Sequence, residues 1–303
     1  MAVLLSIFAS DILPIFLIAS VGFLLARHVD ASVKTMAHVV FYALIPSLVF
    51  NLLVASKMTG LQFGRMALAA ILVTLGMGVV GRVVTLPFRM SRPELSAFLL
   101  VVMFSNTGNF GLPVVLFAFG DVALSHGTAY FVTSSIITYT VGVFLAAAGT
   151  RSVRRALTGI VKVPAMYSAA AAAVVLMTGR QVPLAIERPI GLLSNAALPM
   201  MIVVLGMQLE RATLPDRPWL VVLAVVVSLA VAPAVALGVA PLLGLAGPAR
   251  QAAVIIAAMP AAVVTTILAL EFDVAPTFVT STVFVSTLAS PFTLTPLIAF
   301  LRR

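Results

Sequence analysis

Long apolar runs separated by short polar links repeat along the entire chain. About 20 apolar residues in a helix cross the hydrocarbon core of a bilayer, which is about 30 Å thick. By that measure the pattern predicts ten spans, at 3–26, 35–55, 63–87, 95–119, 127–149, 160–179, 189–209, 218–243, 250–270 and 276–300. No link is long enough to hold a soluble domain. The most basic link is RSVRRALTGIVK, Arg151 to Lys162, with four Lys or Arg.

One span departs from the pattern near its middle. Between Phe104 and Val115 the chain reads FSNTGNFGLPVV. Ser105, Asn106, Thr107 and Asn109 fall within five positions. At about 100° per residue they cannot share one narrow helix face. Gly108 and Gly111 lower the helix preference. Pro113 has no N–H and crowds the carbonyl of Asn109. An unpaired backbone group in hydrocarbon costs several kcal/mol, so an open backbone at this depth must face protein or water. Span nine carries its own interruption, Pro260 in AAMPAAVVTT, which frees the carbonyl of Ile256.

The two interrupted spans occupy matching places in an internal repeat. ALIPSLVFNLL (Ala43 to Leu53) resembles ALPMMIVVLGMQL (Ala197 to Leu209), with Pro46 facing Pro199 at an offset of 153. GDVALSHGTAYFVTSS (Gly120 to Ser135) resembles FDVAPTFVTSTVFVST (Phe272 to Thr287), with Asp121 facing Asp273 at an offset of 152. Half the chain is five spans. Five is odd, so the second copy enters the membrane upside down, as in many secondary transporters. The expected organisation is a first repeat at 1–150, a basic link at 151–162 and an inverted second repeat at 163–303.

Composition then narrows the functions. The chain is 62% apolar and 9% charged, which excludes a soluble domain of 303 residues. Its net charge of +9 could suggest nucleic acid. In a polytopic membrane protein the better account is basic cytoplasmic links that set orientation. With the N-terminus outside, the inside links hold 11 Lys or Arg and the outside holds 7, so both termini are expected outside the cell (inner) membrane. The apolar run at the N-terminus continues to Leu25 with no basic segment before it, which predicts an uncleaved first span. There is no cysteine, so disulfides and zinc–thiolate sites are excluded. His28, His38 and His126 lack metal-ligand spacing. No HExxH or GxSxG motif is present, which argues against an intramembrane enzyme. No cofactor, metal or nucleic-acid partner is expected.

The candidate substrate site gathers at the interruptions, where inverted-repeat carriers bind at mid-membrane. Span four offers Ser105, Asn106, Thr107, Asn109 and Pro113, with Gly108 and Gly111 shaping the backbone. Span nine offers Pro260, Thr265 and Thr266. Helix N-termini at such breaks favour anions, and uncharged amides add recognition without the burden of a buried ion. Asn51 and Gln208, in spans two and seven, either line the path or bond between helices. Asp11 and Glu271 are candidates for proton coupling, or are interfacial carboxylates.

The motif SNTGNFGLP in span four, ten spans arranged as five and five, a basic central link and a proline in span nine together resemble the auxin efflux carrier family, which includes the plant PIN carriers and bacterial relatives. The resemblance implies a homodimer in lipid. Each protomer would have a scaffold domain (spans 1, 2, 6, 7) and a transport domain (spans 3–5 and 8–10), with spans four and nine crossing at the substrate. It also implies an organic anion as substrate: an auxin-like monocarboxylate, malate or malonate. Transport would move one domain past the other. The long central hydrophilic loop of the plant carriers is missing here. The sodium-coupled bile-acid symporter type is the alternative, since it too crosses spans four and nine.

Overall fold

A computed structural model describes residues 2–29, 31–56, 58–148, 164–179, 181–210 and 217–303. The basic link at 151–162 lies outside the described residues. In chain order the helical stretches are α1 Ala2–His28, α2 Val33–Ala55, α3 Gly60–Thr85, α4 Arg92–Met103, α5 Thr107–Ala148, α6 Pro164–Thr178, α7 Leu184–Leu209, α8 Pro218–Leu242, α9 Gly247–Ala257, α10 Val263–Phe272 and α11 Pro276–Leu301. Among the described residues there is no strand, only one isolated antiparallel bridge.

Seven of these stretches are long and apolar enough to cross a membrane. The difference from the expected ten spans has local causes. Span four is divided between α4 and the start of α5, and span nine between α9 and α10. Span five follows in the same 42-residue stretch α5, past a kink at Gly120 (φ 78°, ψ −173°). Only glycine adopts that backbone readily. Span six gives a helix of 15 residues, short of the usual crossing length.

Polar caps fix where helices enter. Ser32 accepts from the Thr35 N–H, and Thr59–Gln62 and Ser91–Glu94 form capping boxes. Inside the helices the prolines act through wide π turns. Turns at Phe8–Ile12, Val40–Leu44, Thr107–Gly111 and Val227–Val231 each end two residues before a proline, namely Pro14, Pro46, Pro113 and Pro233. The wider turn makes room for a ring that has no N–H to offer, so the helix continues. Pro113 is therefore absorbed within a continuing helix and is not the point of rupture. The rupture lies upstream, at Phe104 to Asn106.

Packing places the broken helices at the centre. α1 lies against α7 so closely that a Cβ on Gly22 would overlap the Val203 carbonyl, and one on Gly206 would overlap that of Ala19. Such small-residue seams let membrane helices approach backbone to backbone. α2 packs on α6 and α7, α3 on α5 and α8, α9 on α5, and α10 on α11. Residues Ala252 to Ala262, around the second break, are all buried.

Candidate functional site

The two breaks meet and satisfy each other. After α4 the chain is extended at Phe104 (φ −109°, ψ 97°), and it re-enters a helix at Thr107. After α9 it is extended at Ala262 (φ −73°, ψ 136°) and re-enters at Val263. The Asn106 N–H donates to the Pro260 carbonyl at 2.7 Å, and the Ala262 N–H donates to the Phe104 carbonyl at 2.8 Å. Between them Ser105 and Ala261 form an antiparallel bridge. The Ile256 carbonyl, deprived of a helical donor by Pro260, accepts from Ser105 Oγ at 3.2 Å and from the Met259 N–H at 3.3 Å. The Ala261 N–H donates to Ser286 Oγ, 3.2 Å away on α11. The open backbone expected from the sequence is thus closed by the opposite break and by one serine.

A cavity of about 380 Å³ opens beside this junction. Ser105, Asn106, Thr107, Gly108 and Asn109 line it from the first break; Ala262, Val263 and Val264 line it from the second. The first turns of the helices after both breaks therefore border one space. Phe41, Tyr42, Phe131 and Tyr139 give it aromatic walls. No lysine or arginine lines it among the described residues.

Asn106 is 5% exposed, and its Nδ2 has no hydrogen-bond partner among the described residues. The same is true of Gln208 Oε1, which borders the cavity from α7. A buried amide without a partner is destabilising by about 1–3 kcal/mol, so such groups mark places where a ligand or water completes the bonding. Thr107 is buried, and Asn109 half-buried, on the same wall. Gly108 lies in close approach: a Cβ there would stand 2.9 Å from Phe131 Cε2 and 3.2 Å from Met201 Cε, so those side chains would have to shift.

Several predicted site residues lie elsewhere. Pro113 and Pro260 are buried and off the cavity wall, although Pro260 lends its carbonyl to the junction. Gly111 packs under it, against the Asn106 carbonyl. Thr265 is fully buried and donates to the Ala262 carbonyl at 2.6 Å; Thr266 is half-buried. Neither threonine lines the cavity. Asn51 donates to Ser194 Oγ at 3.2 Å, joining α2 to α7 away from the cavity. Glu271 is exposed on the cavity wall. Asp11 is far from it in the fold, paired with Arg302. The aromatic wall and Ser286 carry no motif that sequence reasoning could have singled out.

The family described as membrane transport protein matches residues 7–298, nearly the whole chain. The chain belongs to the auxin efflux carrier family. An uncharacterized transporter of Methanocaldococcus jannaschii is 24% identical over 266 residues, covering 84% of this chain and 85% of that one. Membership in the auxin efflux carrier family makes this a multi-pass membrane transporter. For such a transporter, a polar junction buried among apolar helices and bordered by a cavity is the place where cargo can be held.

Proposed function

We propose that this protein is a secondary transporter that binds a small organic anion where its two helix breaks meet. It is read as ten spans in two inverted repeats, with spans four and nine crossing at the substrate. The observation that carries the reading is the unpartnered buried amide of Asn106 on the cavity wall. An amide N–H₂ donates to a carboxylate, and the helix turns starting at Thr107 and Val263 add their positive ends. The repeat is supported by packing: α1 on α7 and α2 on α6 are the same contact, spans 1 with 7 and 6 with 2, under a shift of five spans.

Charge narrows the substrate. With no lysine or arginine on the cavity wall among the described residues, and Glu271 on it, a second carboxylate would have only His38 to pair with among aromatic and branched groups. Desolvating an unpaired charge costs several kcal/mol. A monoanion with an apolar body fits this wall better than malate or malonate does. Movement of spans 3–5 and 8–10 past spans 1, 2, 6 and 7, in a homodimer with both termini outside, completes the proposal.

Proteoliposomes test it. Labelled monocarboxylates and dicarboxylates are offered under imposed proton and sodium gradients. Saturable uptake of monocarboxylates, lowered by Asn106→Ala, is the expected result. Full uptake by Asn106→Ala would remove the site assignment, and strict sodium dependence would favour the bile-acid-symporter type.

A further inference from the structure

A charged cluster sits beside the kink at Gly120, off the cavity wall. Arg302, just past α11, pairs through Nη2 with Asp11 Oδ2 at 2.8 Å. Its Nε and Nη2 also donate to the Ala118 carbonyl, at 3.2 and 2.7 Å. The Asp11 side chain is 5% exposed and that of Arg302 37%. Asp11 Oδ1 accepts from Ser10 Oγ at 2.8 Å. Gly120 interrupts the helical path two residues beyond Ala118.

The topology puts this cluster far from the cavity mouth. Ala118 lies beside the kink at Gly120, while the cavity borders α5 at Thr107 to Asn109 and again from Phe131 to Val143. At about 1.5 Å per residue, Asn109 lies roughly 16 Å along the helix from that kink and Val143 roughly 35 Å. A second hollow, of about 430 Å³, opens beside the cluster and is lined by Ser6, Ile7, Ala299 and Arg302. The cavity therefore extends from the first break away from the kink, and Asp11 meets Arg302 on the kink side.

We propose that Asp11 and Arg302 form the far-side gate of the transport cycle: paired while the cavity is open on its own side, and parted when the far side opens. This rests on the alternating-access reading above. In that reading Asp11 belongs to the scaffold and both Arg302 and Ala118 to the moving domain, so displacement must separate the pair. Arginine suits the task. Its Nε and Nη2 both hold the Ala118 carbonyl while its charge faces Asp11, and that carbonyl stays with it when Asp11 leaves. Asp11 in turn keeps the Ser10 hydroxyl. The pair biases the resting state without having to be replaced by new ionic contacts at every cycle.

The chain has no cysteine, so single reporters can be introduced and their labelling by a polar maleimide timed in nanodiscs. Ser135→Cys reports the cavity, and Ile7→Cys, 4% exposed, reports the far side. In the native background Ser135→Cys should react fast and Ile7→Cys slowly. Asp11→Asn should speed Ile7→Cys and slow Ser135→Cys, each on the order of tenfold. Arg302→Lys, which keeps the charge but loses the fork, should shift both the same way by less, and it serves if Asp11→Asn fails to fold. Unchanged Ile7→Cys labelling in folded variants overturns the gate and leaves the transport reading untouched. Faster Ile7→Cys labelling with no slowing of Ser135→Cys means the far side opens without the cavity closing. That result overturns alternating access, and with it the gate's place in a cycle.

Discussion

The two breaks perform the same backbone manoeuvre with opposite chemistry. At the first, Ser105, Asn106, Thr107 and Asn109 surround the rupture, and a π turn leads into Pro113. At the second, Ala258, Met259, Pro260, Ala261 and Ala262 contribute no side-chain polar atom at all. Yet each leaves its helix for a few residues, and the two donate one backbone hydrogen bond to each other. An interruption therefore does not need polar side chains of its own to exist in a membrane, because partner backbone and two serines from outside it supply the bonds. Beyond Ser105, the polarity of the first break is surplus to the fold. That surplus is what makes it the candidate for recognition, and the second break a platform for it.

The sharpest way to break this comparison is to remove the surplus. Asn106→Leu should lower initial uptake in proteoliposomes on the order of 10- to 100-fold, since a hydrogen bond to a charged group is worth about 1.5–3 kcal/mol. Thermal stability should hold, because no protein partner is lost. Equal uptake by the variant would make the first break as inert as the second. Next in size is Asn109→Asp compared with Asn109→Ala. A carboxylate facing an anion should weaken binding several-fold more than a methyl group does; matching affinities would argue against an anionic cargo.

The platform can be probed in turn. Ser286→Ala leaves the Ala261 N–H buried without its acceptor, and should cost about 1–3 kcal/mol of stability, read as a lower unfolding temperature. Ser105→Ala should cost less, about 0.5–1.5 kcal/mol, because the Ile256 carbonyl keeps the Met259 N–H. A reversed order would mean that the first break, not the second, is the weaker structure. The smallest effect belongs to Thr266→Val, half-buried and off the cavity. Uptake should be unchanged, with stability within about 0.5 kcal/mol.

The class of fold and the place of the first rupture are readable in the sequence, for identifiable reasons. Apolar runs announce helices in lipid, and four polar residues within five positions have no other cause there. Pro260 stands out because a mid-span proline with no compensating polar neighbour needs a partner from outside its helix. The helical phase beyond Pro260 is not readable. Thr265 and Thr266 are expected at the site, but α10 starts afresh at Val263, so the face of each residue depends on where the helix restarts. Pro113 is expected to rupture its helix, yet a π turn absorbs it. Among the described residues seven helical stretches are long and apolar enough to cross a membrane, against ten hydropathy runs, because three of those runs are split or shortened. Ser286 and Arg302 act across 25 and 184 residues, respectively, and no local pattern reports a partner so distant.

The bridge between Ser105 and Ala261 is a sheet of a single rung. Side chains along paired extended segments alternate in direction, so a slip of one residue exchanges the two faces. Were the segment shifted by one place, Ser105 or Thr107 would stand where Asn106 does now, and the amide would lose its place on the cavity wall. One rung thus sets which side chain the cavity wall presents there. Lengthening or shortening the chain by a single residue between Met103 and Thr107 would change what the protein can bind while leaving every membrane helix intact.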